Sequence, residues 1–174
     1  MAEQPSTRVD EIVAAARALL ETGGPDAVTM RAIAERLGIR APSLYKHVPD
    51  KAALEAAIIA DAFVEQAAMF AAAVDGADDP LGALAAAYRA WALVHPHLYT
   101  LMTAHPLARE QLPDRVEAAA AQPVIDASGG DADRARAVWA FAHGMTSLEL
   151  AGRFPPGADL DAAWRSGVDA FRVS

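Results

Sequence analysis

The chain predicts an all-α fold, on three observations. Ala, Leu, Glu and Arg dominate over Val, Ile and Thr, and alanine pairs and triplets recur throughout; Ala loses no side-chain entropy on entering a helix. Apolar residues return every three or four positions, the period of a helix with one buried face. Gly and Pro clusters cut this pattern into segments of ordinary helical length.

Ile12, Val13, Ala16, Leu19 and Leu20 keep helical spacing between Arg8 and Thr22, with Asp10 and Glu11 in the first turn, where the helix dipole favours anions. Gly23, Gly24 and Pro25 end that helix. A second opens on Thr29 as N-cap, runs through Ile33, Ala34 and Leu37, and stops at Gly38, which can take the left-handed conformation of a tight turn. Pro42 suits a first turn, so Ala41 to His47 reads as a third helix with Leu44 and Val48 inward. Asp50 caps a long fourth helix, Lys51 to about Val74, with Leu54, Ile58, Phe63, Val64 and Phe70 at its apolar positions. After the break at Asp75 to Pro80, helices are expected near 80–95, 96–104, 113–127, 131–153 and 159–172, with Pro123 kinking or shortening the seventh.

With 174 residues the chain holds one core, or a module of about 50 residues beside a larger one. It has no cysteine, which excludes disulfides, thiolate nucleophiles and Cys-based metal sites. Met1 to Arg8 carries Glu3, Gln4 and Pro5 instead of a basic then apolar leader, and no run of about 18 uncharged apolar residues follows. A cytoplasmic protein with no membrane partner is expected. The net charge of −8 argues against DNA, yet it is unevenly placed. Between Arg31 and Lys51 five bases face two acids, whereas beyond Lys51 eight bases face sixteen acids. The short helices are therefore locally basic, and the remainder should repel a polyanion.

Three short helices with tight turns and a basic middle suit a DNA-binding helix-turn-helix, and equally an ordinary packed subdomain. The segment from Thr29 to Leu54, containing Ile33-Ala34, Gly38, Leu44-Tyr45-Lys46-His47 and Lys51-Ala-Ala-Leu54, closely resembles the signature of the tetracycline-repressor (TetR) family. In that family the third helix enters the major groove. The resemblance implies base-edge roles for Arg31, Ala41, Pro42, Ser43 and Lys46, whose forked, hydroxyl, ammonium and small apolar groups suit guanine, mixed and thymine-methyl contacts. It implies phosphate contacts for Thr29, Tyr45, His47 and Lys51. Tyr45 could instead be a packed core aromatic. Two departures stand out: Arg40 replaces the usual Ser N-cap, and is expected on a phosphate, and Val48 replaces a frequent Phe.

Tyr88 to Met102 and Trp139 to Phe154 resemble the WHG-type regulatory domain of part of that family, which implies a ligand pocket between helices and a dimer made by the last two. Tyr88, Trp91, His95, Tyr99 and Met102, with Trp139, His143 and Ser147, are the candidate lining; a plain core would use the same residue types. His95, His97, His105 and His143 lack helix-borne metal spacing, so no metal and no cofactor are expected. Val138, Phe141, Met145 and Leu148, with Leu160, Trp164, Val168 and Phe171, supply apolar stripes for pairing two copies, and Gly144 and Gly152 would allow close approach.

Together these readings predict an N-terminal three-helix helix-turn-helix DNA-binding domain (1–52) and a C-terminal helical ligand-binding and dimerisation domain (53–174). The expected function is a dimeric repressor of a pseudo-palindromic double-stranded operator, released by a small-molecule effector. A small all-α enzyme or carrier that keeps the helix-turn-helix only as packing is the alternative. Catalysis finds no Gly-x-Ser-x-Gly, phosphate loop or informative acid-base pair.

Overall fold

Thr7 and Asp10 start the first helix by satisfying each other: the Thr7 hydroxyl accepts from the Asp10 N–H, and the Asp10 carboxylate accepts from the Thr7 N–H at 2.7 Å. That backbone hydrogen bond holds the Asp10 carboxyl below its ordinary pKa. The structure, a computed structural model, describes residues 7–172; Glu3, Gln4 and Pro5 lie outside the described residues.

Regular structure among the described residues is helical: α1 (Arg8–Gly23), α2 (Met30–Leu37), α3 (Ala41–Leu44), α4 (Lys51–Val74), α5 (Pro80–Val94), α6 (Pro96–Thr103), α7 (Val116–Ala127), α8 (Ala132–Leu150) and α9 (Leu160–Asp169). Short 3-10 turns at Pro25–Ala27 and Arg109–Gln111 join them. Several expected ends move. The third helix stops at Leu44 instead of His47, because the N–H groups of His47 and Val48 both turn back onto the Leu44 carbonyl, each at 2.9 Å. The fifth ends at Val94: a residue before proline is disfavoured in the α region, and His95 leaves that helix to precede α6. The seventh starts at Val116, after Arg115 takes a left-handed conformation (φ 64°), and it runs through Pro123. The eighth closes at Leu150, where the Arg153 N–H returns to the Leu148 carbonyl.

The chain forms two compact units, Met1–Ala62 with His95–Asp114, and Phe63–Val94 with Arg115–Ser174. In the first, α1 packs on α2 and α6, and α2 on α3, around Ile12, Ala16, Leu20, Ile33, Leu44 and Leu98. Arg17 pairs with Asp61, and His95 Nδ1 lies 2.8 Å from the Glu21 carboxylate. Chain order alone assigns α6 to the C-terminal half; burial of Leu98 and Tyr99 instead joins it to the N-terminal helices.

In the second unit α5 packs on α7, α8 and α9. Arg89 of α5 forks onto both carboxylate oxygens of Glu149 at 2.8 Å, also bonds Asp161, and lies over the Trp164 ring at 5.8 Å. Several residues of the stripes expected to face a second copy are packed within the chain. Val138, Trp164 and Val168 are buried, and Phe141 packs against Trp164 and Phe171 at ring distances of 5.6 and 5.9 Å. The glycine that permits this approach is Gly167, where a Cβ would meet the Phe141 ring at 2.0 Å. Nothing lies within 4 Å of a Cβ at Gly144 or Gly152. Trp139 (53% exposed) and Leu148 (45%) are the large apolar residues that α8 leaves outside.

By length and composition α4 is apolar enough to cross a membrane, although Glu55, Asp61 and Glu65 interrupt it. Its inward positions Leu54, Ile58, Ala62, Gln66 and Phe70, spaced by four, are all buried in the protein.

Candidate nucleic-acid interface

The helix-turn-helix is assembled from inside outward. Thr29 caps α2, its Oγ1 accepting from the Ala32 N–H at 3.1 Å. Ile33 and Ala34 go inward, and Gly38 ends α2 in the left-handed region (φ 66°), a geometry that favours glycine because a Cβ there is crowded by the backbone. Ile39 N–H returns to the Ala34 carbonyl at 3.0 Å, so only Gly38, Ile39 and Arg40 separate α2 from α3. Leu44 and Val48 then bury completely or nearly so. With those residues anchored, their neighbours must face solvent.

They do. Thr29, Arg31, Arg40, Pro42, Ser43, Tyr45, Lys46, His47 and Lys51 are exposed, and Ala41 is half-buried. Tyr45 is 52% exposed, which corrects the option of a core aromatic. Arg40 stands at the N-cap of α3, where its guanidinium, a donor only, cannot accept from the helix N–H groups, and it makes no side-chain capping bond. Among the described residues no hydrogen bond or ion pair holds the side chains of Arg40, Lys46 or His47. Two other candidates are already engaged: Arg31 Nε donates to Glu35 at 2.8 Å, and Lys51 Nζ lies 3.5 Å from Glu55. The Glu35 bond also raises the Arg31 pKa, so that guanidinium stays charged.

Thr29 and Lys51 share an open groove of about 390 Å³ with Pro25, Asp26, Val28, Met30 and Leu54. The first turns of α2 and α4 border it, and Asp50 caps α4 by accepting from the Ala53 N–H at 2.8 Å. The positive dipole ends of two helix starts border the groove, as does the carboxylate of Asp26.

The candidate effector residues are divided between the two units. Tyr88 and Trp91 are buried in the second unit, where Phe70 stacks on Tyr88 at 6.4 Å and Glu65 accepts from the Trp91 indole at 2.6 Å. His143, half-buried, stacks on Trp139 at 5.7 Å; Trp139 itself faces out, against the inward orientation its spacing suggested. Ser147 is half-buried in the same unit. His95, Tyr99 and Met102 belong to the first unit, near α1. Gln66 and Thr146 are also buried in the second unit. The only sequence signal for Gln66 is its place, four residues from Phe70, in an otherwise apolar stripe.

Comparison with known proteins agrees with this geometry. Residues 12–58 match the family model for bacterial regulatory proteins of the tetR family, and residues 81–171 match the tetracyclin repressor-like C-terminal domain. The chain is 32% identical over 154 residues to the uncharacterised HTH-type transcriptional regulator Rv0681 of Mycobacterium tuberculosis, covering 82% of this chain and 70% of that one. It superposes on a protein of unknown function from Rhodococcus sp. RHA1 with TM-score 0.76 and 29% identity, covering 98% and 97% of the two chains. The multidrug binding protein EbrR, solved with imidazole, shares the fold at TM-score 0.71 and 22% identity, with 97% of each chain covered.

Proposed function

The chain belongs to the tetR family of bacterial regulatory proteins, and from that premise we propose that it is a homodimeric repressor that an effector releases from a pseudo-palindromic operator. Transcription regulation through a DNA-binding helix-turn-helix is the family's work, and its members are not enzymes. One observation carries the reading: the helices whose inner residues Ile33, Leu44 and Val48 are sealed leave nine of the ten candidate DNA-contacting side chains exposed. Residues 1–52 supply DNA contacts in this proposal and 53–174 supply the effector site and the dimer. The protein works on chromosomal DNA, hence in the cytoplasm and without a membrane partner.

Arg31, Ala41, Pro42, Ser43 and Lys46 read base edges, while Thr29, Arg40, Tyr45, His47 and Lys51 fix register on phosphates. A second copy pairs through α8 and α9, with the exposed Trp139 and Leu148 among the surfaces covered. Tyr88, Trp91, His143 and Ser147 stand nearest to an effector site in the second unit. The effector binds the two states of the dimer unequally and displaces α4, a single helix that begins at Lys51 and carries residues of both units.

Anisotropy titration against the DNA upstream of its own gene tests this. Preference for that duplex over random sequence is expected, with affinity falling steeply as salt rises. Equal binding to both duplexes, or a salt slope near zero, overturns the proposal.

A further inference from the structure

Of the fifteen Lys and Arg residues in the chain, only Lys46 and Lys51 are lysines. Both stand in the basic stretch from Arg31 to Lys51, and every other cation, from Arg8 to Arg172, is an arginine. The two residue types differ in reactivity. A guanidinium keeps its proton in proteins and has no lone pair to attack with, whereas an ammonium can give up a proton and become a nucleophilic amine. A reagent that acylates amines therefore meets the side chains of this protein only on the candidate DNA surface.

Both amines are accessible. Leu44 and Val48, fully or nearly fully buried, pin the backbone on either side of Lys46, so its side chain is kept in solvent, and among the described residues no hydrogen bond or ion pair holds it. Lys51 opens α4 with its side chain 64% exposed. Its Nζ lies 3.5 Å from Glu55 in an i,i+4 pair, an interaction that is weak in solvent. Lys46 is thus the more open of the two.

We propose that Lys46 and Lys51 are acylation sites, at which an activated acyl group, carried as an acyl phosphate or an acyl thioester, switches off operator binding. The deprotonated Nζ attacks the acyl carbon and an amide C–N bond forms. The C–O or C–S bond breaks, phosphate or thiolate leaves with the electron pair, and the surplus amine proton passes to solvent; nothing is oxidised or reduced. Each event replaces a cation by a neutral amide. With both modified, the stretch from Arg31 to Lys51 falls from five bases against two acids to three against two. DNA seated on this surface covers the same two amines, so acylation captures the released chain and holds it released. This inference rests on the DNA-contacting roles proposed above.

The full chain, free or with its operator duplex, is treated separately with acetyl phosphate and with acetyl-coenzyme A, mapped by mass spectrometry, and titrated by anisotropy against operator and random duplexes. Either donor acetylates Lys46 ahead of Lys51 in the free chain, and the comparison shows which donor serves. Acetylation at Lys46 lowers operator preference about tenfold, as the loss of a base-edge contact does. Acetylation at Lys51 weakens both duplexes alike and reduces the salt slope by about one. Bound operator protects both lysines. The double variant Lys46→Arg, Lys51→Arg retains the terminal amine and loses the two side-chain amines, so treatment leaves its affinity where it started. A treated chain acetylated at both lysines that binds operator as before overturns the inference. So do operator-bound chains that react at Lys46 as fast as free ones, and a double variant whose affinity falls on treatment as the parent's does. An untreated chain without operator preference removes the DNA-contacting roles and this inference with them, whereas a chain that prefers its operator and is indifferent to acetylation removes this inference alone.

Discussion

Lys46 and Arg31 stand in different electrostatic situations, and that difference orders their expected effects. Lys46 has no partner to surrender, whereas Arg31, in the base-reading role proposed for it, has to leave Glu35 first. Replacing Glu35 by Gln removes that competitor and one negative charge from the interface, so operator affinity measured by anisotropy should rise about two- to tenfold. The double change Arg31→Ala, Lys46→Ala should abolish operator preference and move the thermal transition by no more than about 2 °C, because both side chains lie on the surface. Leu44→Ala is the converse case. It empties a fully buried position, should cost about 2–5 kcal/mol by chemical denaturation, and should weaken DNA binding only through loss of fold.

Helix ends carry the next set of expectations. Gly38 ends α2 in the left-handed region, so Gly38→Ala should destabilise the module by about 1 kcal/mol. Arg115 occupies the same region with a full side chain before α7, so Arg115→Gly should leave stability level or raise it by up to about 1 kcal/mol in urea melts. These positions also show what the sequence could tell. The caps at Thr29 and Asp50, the glycine stop at Gly38 and the buried Ile33 and Leu44 were legible because they obey local rules of period and capping. The turn at Tyr45 to His47 was not, since nothing in residue type announces that two N–H groups will share the Leu44 carbonyl. Nor could periodicity say which partner a stripe meets. Phe141 and Val168 pack within one chain because Gly167 opens a notch for the ring, a fact of tertiary approach that a single helix does not encode. The candidate DNA-contacting set was accessible by motif; the burial of Gln66 and Thr146 was not, because polarity marks a residue while burial belongs to the folded interior.

Across the whole molecule, charge and symmetry decide behaviour. Arg89 ties α5 to α8 and α9 through Glu149 and Asp161, and its hydrogen bond holds the Asp161 carboxyl below the ordinary carboxylate value of 3.8. A carboxyl whose folded pKa is depressed contributes stability that is complete above that ordinary value and is lost as pH falls through the folded one. Melting temperature should therefore drop below about pH 4, and Asp161→Asn should flatten that acid limb while changing little near pH 7. On the proposed reading, the excess of sixteen acids over eight bases beyond Lys51 should repel DNA and confine its contacts to the basic module. If two such modules pair about a two-fold axis, as proposed, they demand inverted half-sites whose centres are one helical turn, or a multiple of it, apart. Selection of bound duplexes from a random pool by the purified protein measures this most directly. The account predicts recovery of two inverted half-sites at fixed spacing, with two chains per duplex and binding lost when five base pairs are inserted between them. Recovery of a single unrepeated element bound by one chain, or of no preferred sequence, would contradict it.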